Sequence, residues 1–336
     1  MTKREAVISA LEHREVHPVP WSAFLTTPER DKLCKYYATD DPEGIIGSCL
    51  SCCDVVSAEM EDMGKERFRD YFGVIWNRSG PDKDIGVVEN AVIPEPEEEL
   101  IVLPPVPVED IREKLGRFCG EESDTFRLAN FGFSLFERYW TLRGGLENAL
   151  MDFAAEPEFC EKLFGAICDF NLRCLDEILK YPVDGVLFGD DWGQQKGLIM
   201  GPAHWHRYIY PCLEKMYAKV RAAGKYVLQH SCGDISEVYP DLIAIGLSAH
   251  QTFQPEIYDV EKMKTLYGDR LTFWGGVSTQ RLLPFAAPEE VFDTTRRLME
   301  LLGKGGGYIA APTHAVPYDV PCENFDAMLR AMKEQP

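Results

Sequence analysis

From about Asp184 to its end the chain alternates between short apolar runs and amphipathic stretches. The apolar runs are "DGVLFGDDW", "KYVLQHSCG", "LSAHQTF", "LTFWGGV" and "GGYIAAPTHA". Between them lie helical patterns such as "GPAHWHRYIYPCLEKMYAKVRAAG", with Pro near its start and Gly at its end. Strands that are apolar almost throughout are buried on both faces, which requires a parallel sheet covered by helices. The first half is less regular. "PVPWSAF", "DVVSAEM" and "FRLANFG" supply three more strands, and helices follow from about Thr141 to Lys180. Eight βα units predict a TIM (β/α)8 barrel, with a doubly wound sheet as the alternative. The whole chain, 1–336, is expected to be one such domain. Residues 68–108 break the repeat with a hairpin-like segment and a Pro/Glu-rich connection. They are expected to be an insertion that forms a flap over the barrel mouth.

Bulk properties narrow the partners. The formal net charge is −20, and acidic runs such as "EPEEEL" and "EESD" form solvated surface. A basic face for nucleic acid or anionic lipid is missing, so neither is an expected partner. No run approaches the roughly 20 apolar residues needed to span a bilayer. The N-terminus, "MTKREAVISALEHREVHPVPW", reads as an amphipathic helix and not as a signal peptide. The eleven Cys are an odd number without a regular framework, which fits a reducing cytoplasm. Cys49, Cys52 and Cys53 are expected to pack in the core, with a second metal or redox cluster as the alternative.

Chemistry in a barrel gathers at the C-terminal ends of the strands, and the unusual polar residues fall there. Strand four ends in Asp190, Asp191 and Trp192, with Gln194 just beyond; strand five in His230 and Cys232; strand six near His250, Phe253 and Gln254; strand seven at Trp274; strand eight at His314. Asp190 or Asp191 could also cap a helix. Residues i and i+2 of a strand share a face, so His230 and Cys232 point to one place if the strand extends that far. With His314 they offer three zinc ligands, and three protein ligands with one open position is the pattern of catalytic zinc. Cys322 is a further possible ligand, or only part of a helix start. Core packing of His230 and Cys232 is the plainer alternative.

"HSCGD", "WGG" and "GGGYIAAPTHAVPYDVPCEN" resemble the uroporphyrinogen decarboxylase-like superfamily. The resemblance implies a TIM barrel, and either decarboxylation or cobamide-dependent methyl transfer. Decarboxylases carry an Arg-rich segment of the type "MRQAGR" after the first strand; here the matching stretch is "PWSAFLTTPERDKL", without those arginines. The methylcobamide:coenzyme M methyltransferases bind zinc through a His-x-Cys at strand five and a Cys in a "PGCG" context at strand eight. His230 and Cys232 match the first two ligands, while His314 in "PTHA" departs from the third.

The resemblance implies zinc-dependent methyl transfer between a small methylated substrate, or a thiol acceptor, and the cobamide of a separate corrinoid protein. No "DxHxxG" corrinoid motif occurs, so the cobamide belongs to the partner. The missing thiolate suits an O- or N-methyl donor. Asp190, Asp191, Gln194 and Glu137 are the candidates to orient substrate or carry a proton. Trp192, Phe253, Gln254 and Trp274 are the candidates to line its site. The rival functions are a metal-free decarboxylase or lyase acting on a smaller acid, and a non-catalytic barrel that binds a corrinoid protein.

Overall fold

Side chains alternate across a strand, so each parallel strand must satisfy two apolar layers at once. The computed structural model describes residues 1–56, 60–80 and 85–335. Among these residues the strands are β1 (Leu50–Asp54), β2 (Glu61–Gly64), β3 (Arg67–Arg69), β4 (Ile75–Asn77), β5 (Val87–Val88), β6 (Phe126–Phe131), β7 (Gly185–Gly189), β8 (Tyr226–His230), β9 (Ala249–Phe253), β10 (Thr272–Val277) and β11 (Tyr308–Pro312). Seven of them form one curled parallel sheet in the order β1-β6-β7-β8-β9-β10-β11.

The alternation divides the core in two. Leu128, Leu187, Leu228, Trp274 and Ile309 pack together on the inner face. Val186, Phe188, Val227 and Phe273 point the other way into a larger cluster with the helices, including Pro157–Ile178 and Pro288–Gly303. Cys52 packs with the inner cluster and its neighbour Cys53 with the outer one, as adjacent strand residues should.

Two strands differ from the sequence expectation. The segment around Trp21 forms only isolated bridges, Trp21 to Ala310 and Leu25 to Val316. Pro18 and Pro20 carry no N–H and cannot sustain a ladder. The segment nevertheless bonds toward both sheet edges: Ala310 N donates to Pro20 O at 2.9 Å, and Cys49 N donates to Trp21 O at 2.7 Å. The strand expected over "DVVSAEM" lies earlier, at Leu50–Asp54, where the small Cys side chains fit the alternation. Part of the expected strand, 57–59, falls outside the described residues.

The irregular region contains an antiparallel sheet, β2-β3-β4-β5, which begins at Glu61, ahead of the expected Phe68. A buried ion pair between Arg138 Nη1 and Asp70 Oδ2, 3.0 Å long, ties it to the helix Phe136–Leu142. The Arg138 guanidinium also sits 3.8 Å from the Phe72 ring centroid, and Trp76 stacks on Phe133. No helix among the described residues is long and apolar enough to cross a membrane.

His250 shows how this packing constrains polar groups. It is fully buried, with Nδ1 2.8 Å from the Tyr239 hydroxyl and Nε2 3.1 Å from Ser231 O. The carbonyl can only accept, so Nε2 carries the proton and Nδ1 accepts from Tyr239. Burial pushes the imidazole down from 6.5 to about 4. Between those values the folded protein binds fewer protons than the unfolded chain, so stability is lost as pH falls through the window. The loss expected from His250 is up to about 3 kcal/mol. Urea unfolding at pH 7 and pH 4.5 should show it, and His250→Gln should show a smaller pH dependence than the parent.

Candidate metal-binding site at the strand ends

β7, β8 and β9 end side by side, in a register that pairs Gly189 with His230 and His230 with Gln251. His230 follows Leu228, and Gln251 follows Ala249, by two residues, so both continue the inner face at its open end. Gln251 Oε1 lies 2.5 Å from His230 Nδ1. The amide oxygen can only accept, which puts the proton on Nδ1 and leaves Nε2 with a free lone pair. Nε2 lies 3.8 Å from Cys232 Sγ.

Cys232 lies beyond the end of β8, so strand pairing does not position it. Two glycines do. A Cβ on Gly233, whose φ is +77°, would come within 2.1 Å of the Gly193 carbonyl carbon; one on Gly193 would come within 2.5 Å of Cys232 O. The loops after β7 and β8 therefore pack backbone on backbone, and Gly193 N donates to Cys232 O at 3.1 Å. Asp191 reinforces the contact: its Oδ1 accepts from Cys232 N at 2.7 Å and lies 3.5 Å from His230 Nε2.

His314 follows β11 and closes the group. One ligand atom from each of His230, Cys232 and His314 lies within 4.8 Å of the others. The His230 and His314 ring centroids are 5.7 Å apart. Burial pushes the Cys232 thiol up, while His314 beside it pulls it down. Cys322 opens the last helix and is not part of the group.

Two of the three, His230 and His314, border a cavity of about 520 Å³, whose lining also includes Gln251, Asp191 and Glu137; Cys232 lies beside them. Glu137 is half-buried and borders the cavity. Enclosure, Asp191 and Asp190 hold its carboxyl well above the usual carboxylate range. Asp190 lies fully buried behind the wall. It accepts from Phe136 N at 2.9 Å, Glu137 N at 2.7 Å and Trp192 Nε1 at 2.7 Å. It thus caps the helix that carries Glu137 and sets where that helix begins. Burial raises its carboxyl to about 6 in spite of these donors.

The other sequence candidates lie off the cavity wall. Gln194 is exposed, and its backbone bonds to Gly197 and Asp234. Trp192 is buried against Trp205; Phe253 stacks on Phe273 and Tyr258; Gln254 Oε1 accepts from Gly233 N. Trp274 lies on the inner face below Phe24, its Nε1 donating to Ser22 Oγ. The rings that border the cavity are Phe24 and Phe133. Gln251, Asp54 and Asn130 also line it and were not singled out in the sequence. Gln251 could have been found by continuing the alternation from Ala249. Asp54 and Asn130 needed the β1–β6 register, which pairs them.

A curled parallel sheet with a His/Cys/His group at its strand ends defines an α/β fold with a metal-capable mouth. The chain belongs to the uroporphyrinogen decarboxylase (URO-D) family, whose profile matches residues 139–335. Its relatives include the methylated-thiol--coenzyme M methyltransferase of Methanosarcina mazei, 24% identical over 192 residues, which are 57% of this chain and 49% of that protein. The chain thus matches about half the length of that relative. A uroporphyrinogen decarboxylase of Methylococcus capsulatus is 24% identical over 256 residues, 72% of this chain and 67% of the relative. Among solved structures, a methyltransferase from Methanosarcina mazei superposes with a TM-score of 0.68 at 15% identity, over 99% of each chain.

Gly193→Ala should force the two loops apart. The expected cost is about 1–3 kcal/mol, read by urea denaturation, with the α/β circular dichroism spectrum retained. An Ala variant as stable as the parent would mean that the loops do not depend on this contact.

Proposed function

We propose that this chain is a zinc-dependent methyltransferase that moves a methyl group between a small methylated substrate, or a thiol acceptor, and the cobamide of a separate corrinoid protein. The observation that carries it is the convergence of His230, Cys232 and His314 at the cavity mouth. The donor set fits zinc in kind, with two imidazoles and one thiol. It also fits in support, because Gln251 occupies the second nitrogen of His230, as partners of zinc-bound histidines do. Three protein ligands leave one position for substrate. When bound, zinc supplies Lewis acidity to the heteroatom that carries or accepts the methyl group.

The chain's own residues do the rest. Asp191 holds the Cys232 backbone and faces His230, fixing the ligand pair. Glu137, with its raised carboxyl, can hold a proton for a departing oxygen or nitrogen. Asp190 acts through Glu137 by anchoring its helix. We read the seven strands and the Trp21 segment together as a TIM barrel, and the antiparallel sheet as a flap whose Ile85 reaches the cavity. The reaction is assigned to the cytoplasm.

A decarboxylase acting on a many-carboxylate tetrapyrrole is disfavoured, because among the described residues neither Arg nor Lys lines the cavity to receive it.

Zinc-replete protein should retain about one zinc per chain after gel filtration. His230→Ala and Cys232→Ser should lose it. His314→Ala should lower zinc retention and methyl transfer to Co(I) cobalamin together, and His314→Cys should keep the metal. Full zinc in His314→Ala with turnover abolished would overturn the three-ligand site. Transfer to Co(I) cobalamin is to be screened with an aryl methyl ether, a methyl thioether and a methylated amine; failure of all three would overturn methyl transfer.

A further inference from the structure

The cavity's lining contains three carboxylates, Asp54, Glu137 and Asp191, and no Arg or Lys among the described residues. The nearby cation, Arg138, is spent on Asp70 and Phe72 behind the wall. Two of the carboxylates are partnered: Asp54 Oδ1 accepts from Asn130 Nδ2 at 2.6 Å, and Asp191 accepts from Cys232 N. Glu137 is different. Among the described residues its carboxylate has no hydrogen-bond partner, and the half-buried side chain borders the cavity. The space that can offer this carboxylate a partner is the cavity. Phe24 and Phe133 border the same space, and aromatic faces attract cations.

We propose that this cavity selects a small cationic substrate, an alkylammonium compound carrying N-methyl groups. The proposal rests on the methyl-transfer reading above and names its substrate class. A divalent ion on one thiolate would bring one net positive charge, which Asp54 and Asp191 outweigh even when Glu137 holds a proton, so the lining stays acidic and disfavours anions when loaded. A quaternary ammonium nitrogen has no lone pair for a metal to polarise, so its own positive charge activates the methyl group: the C–N bond breaks, both its electrons stay on nitrogen, and the neutral tertiary amine released is the first form that a metal could bind. The methyl carbon bonds to the Co(I) nucleophile of the corrinoid partner, which supplies the new electron pair. No proton is needed.

The test is isothermal titration calorimetry on the full chain, zinc-free and zinc-loaded, with three probes: choline, its neutral isostere 3,3-dimethylbutan-1-ol, and benzoate. Choline should bind at least about tenfold more tightly than the neutral isostere, and benzoate should not bind. Glu137→Gln should weaken choline about fivefold or more and leave the isostere unchanged. The parent protein's choline preference tests the proposal even if that variant fails to fold. Equal binding of choline and the isostere, or tighter binding of benzoate, would overturn it. The two ideas fail separately. Methyl transfer from an ether or thioether without choline binding would overturn the cationic substrate and leave methyl transfer standing. Choline binding without methyl transfer from any donor would do the reverse.

Discussion

In a parallel sheet the hydrogen-bonded register decides which side chains meet at the open end. Here that register pairs Gly189, His230 and Gln251 across three adjacent strands. A slip of one residue at β8 would turn His230 toward the helices and bring Gln229 inward. Gln229 is held against that slip by the outer layer, where its Oε1 accepts from the Tyr217 hydroxyl at 2.6 Å. The fully buried apolar residues of β7 and β8 hold it as well. The site is thus a by-product of core packing: once Leu228 is inside, His230 must be inside too.

Beyond the strand ends, loop contacts take over. Gly193 and Gly233 let two backbones touch, and Asp191 bonds across the gap, so Cys232 is held although no ladder holds it. Behind the wall, Asp190 spends both oxygens on a helix start and an indole. Adjacent aspartates thus have separate tasks, one facing the ligand group and the other building the scaffold. The electrostatics follow from the same geometry. Carboxylates from β1, from the helix after β6 and from the loop after β7 converge on one space that, among the described residues, no Arg or Lys lines.

Much of this was legible in the sequence. The strands after Asp184 announce themselves by apolar runs between turn residues, and the group of His230, Cys232 and His314 by residue type at their ends. The N-terminal strands were harder. Pro18 and Pro20 reduce the Trp21 segment to isolated bridges, and β1 hides in "LSCCD", where Cys supplies the apolar character. The aromatic candidates show the limit of reasoning from strand ends. Trp192 lies beyond β7 and Phe253 ends β9, yet both pack into the outer layers; at Phe253 the β9–β10 register shifts, so the alternation that places Gln251 inward does not carry on to it. Which side a residue takes after the last ladder bond depends on loop contacts that spacing does not encode. The Asp54–Asn130 pair depends on the pairing of β1 with β6, which are separated by the antiparallel sheet and a helix.

The account stands on one claim, that His230, Cys232 and His314 hold a single zinc ion. X-ray absorption at the zinc edge of the loaded protein tests it most directly. The account predicts one sulfur at about 2.3 Å and two imidazole nitrogens at about 2.0–2.1 Å, with a light atom in the fourth position. A first shell with two or more sulfurs, or with no sulfur at all, would contradict it.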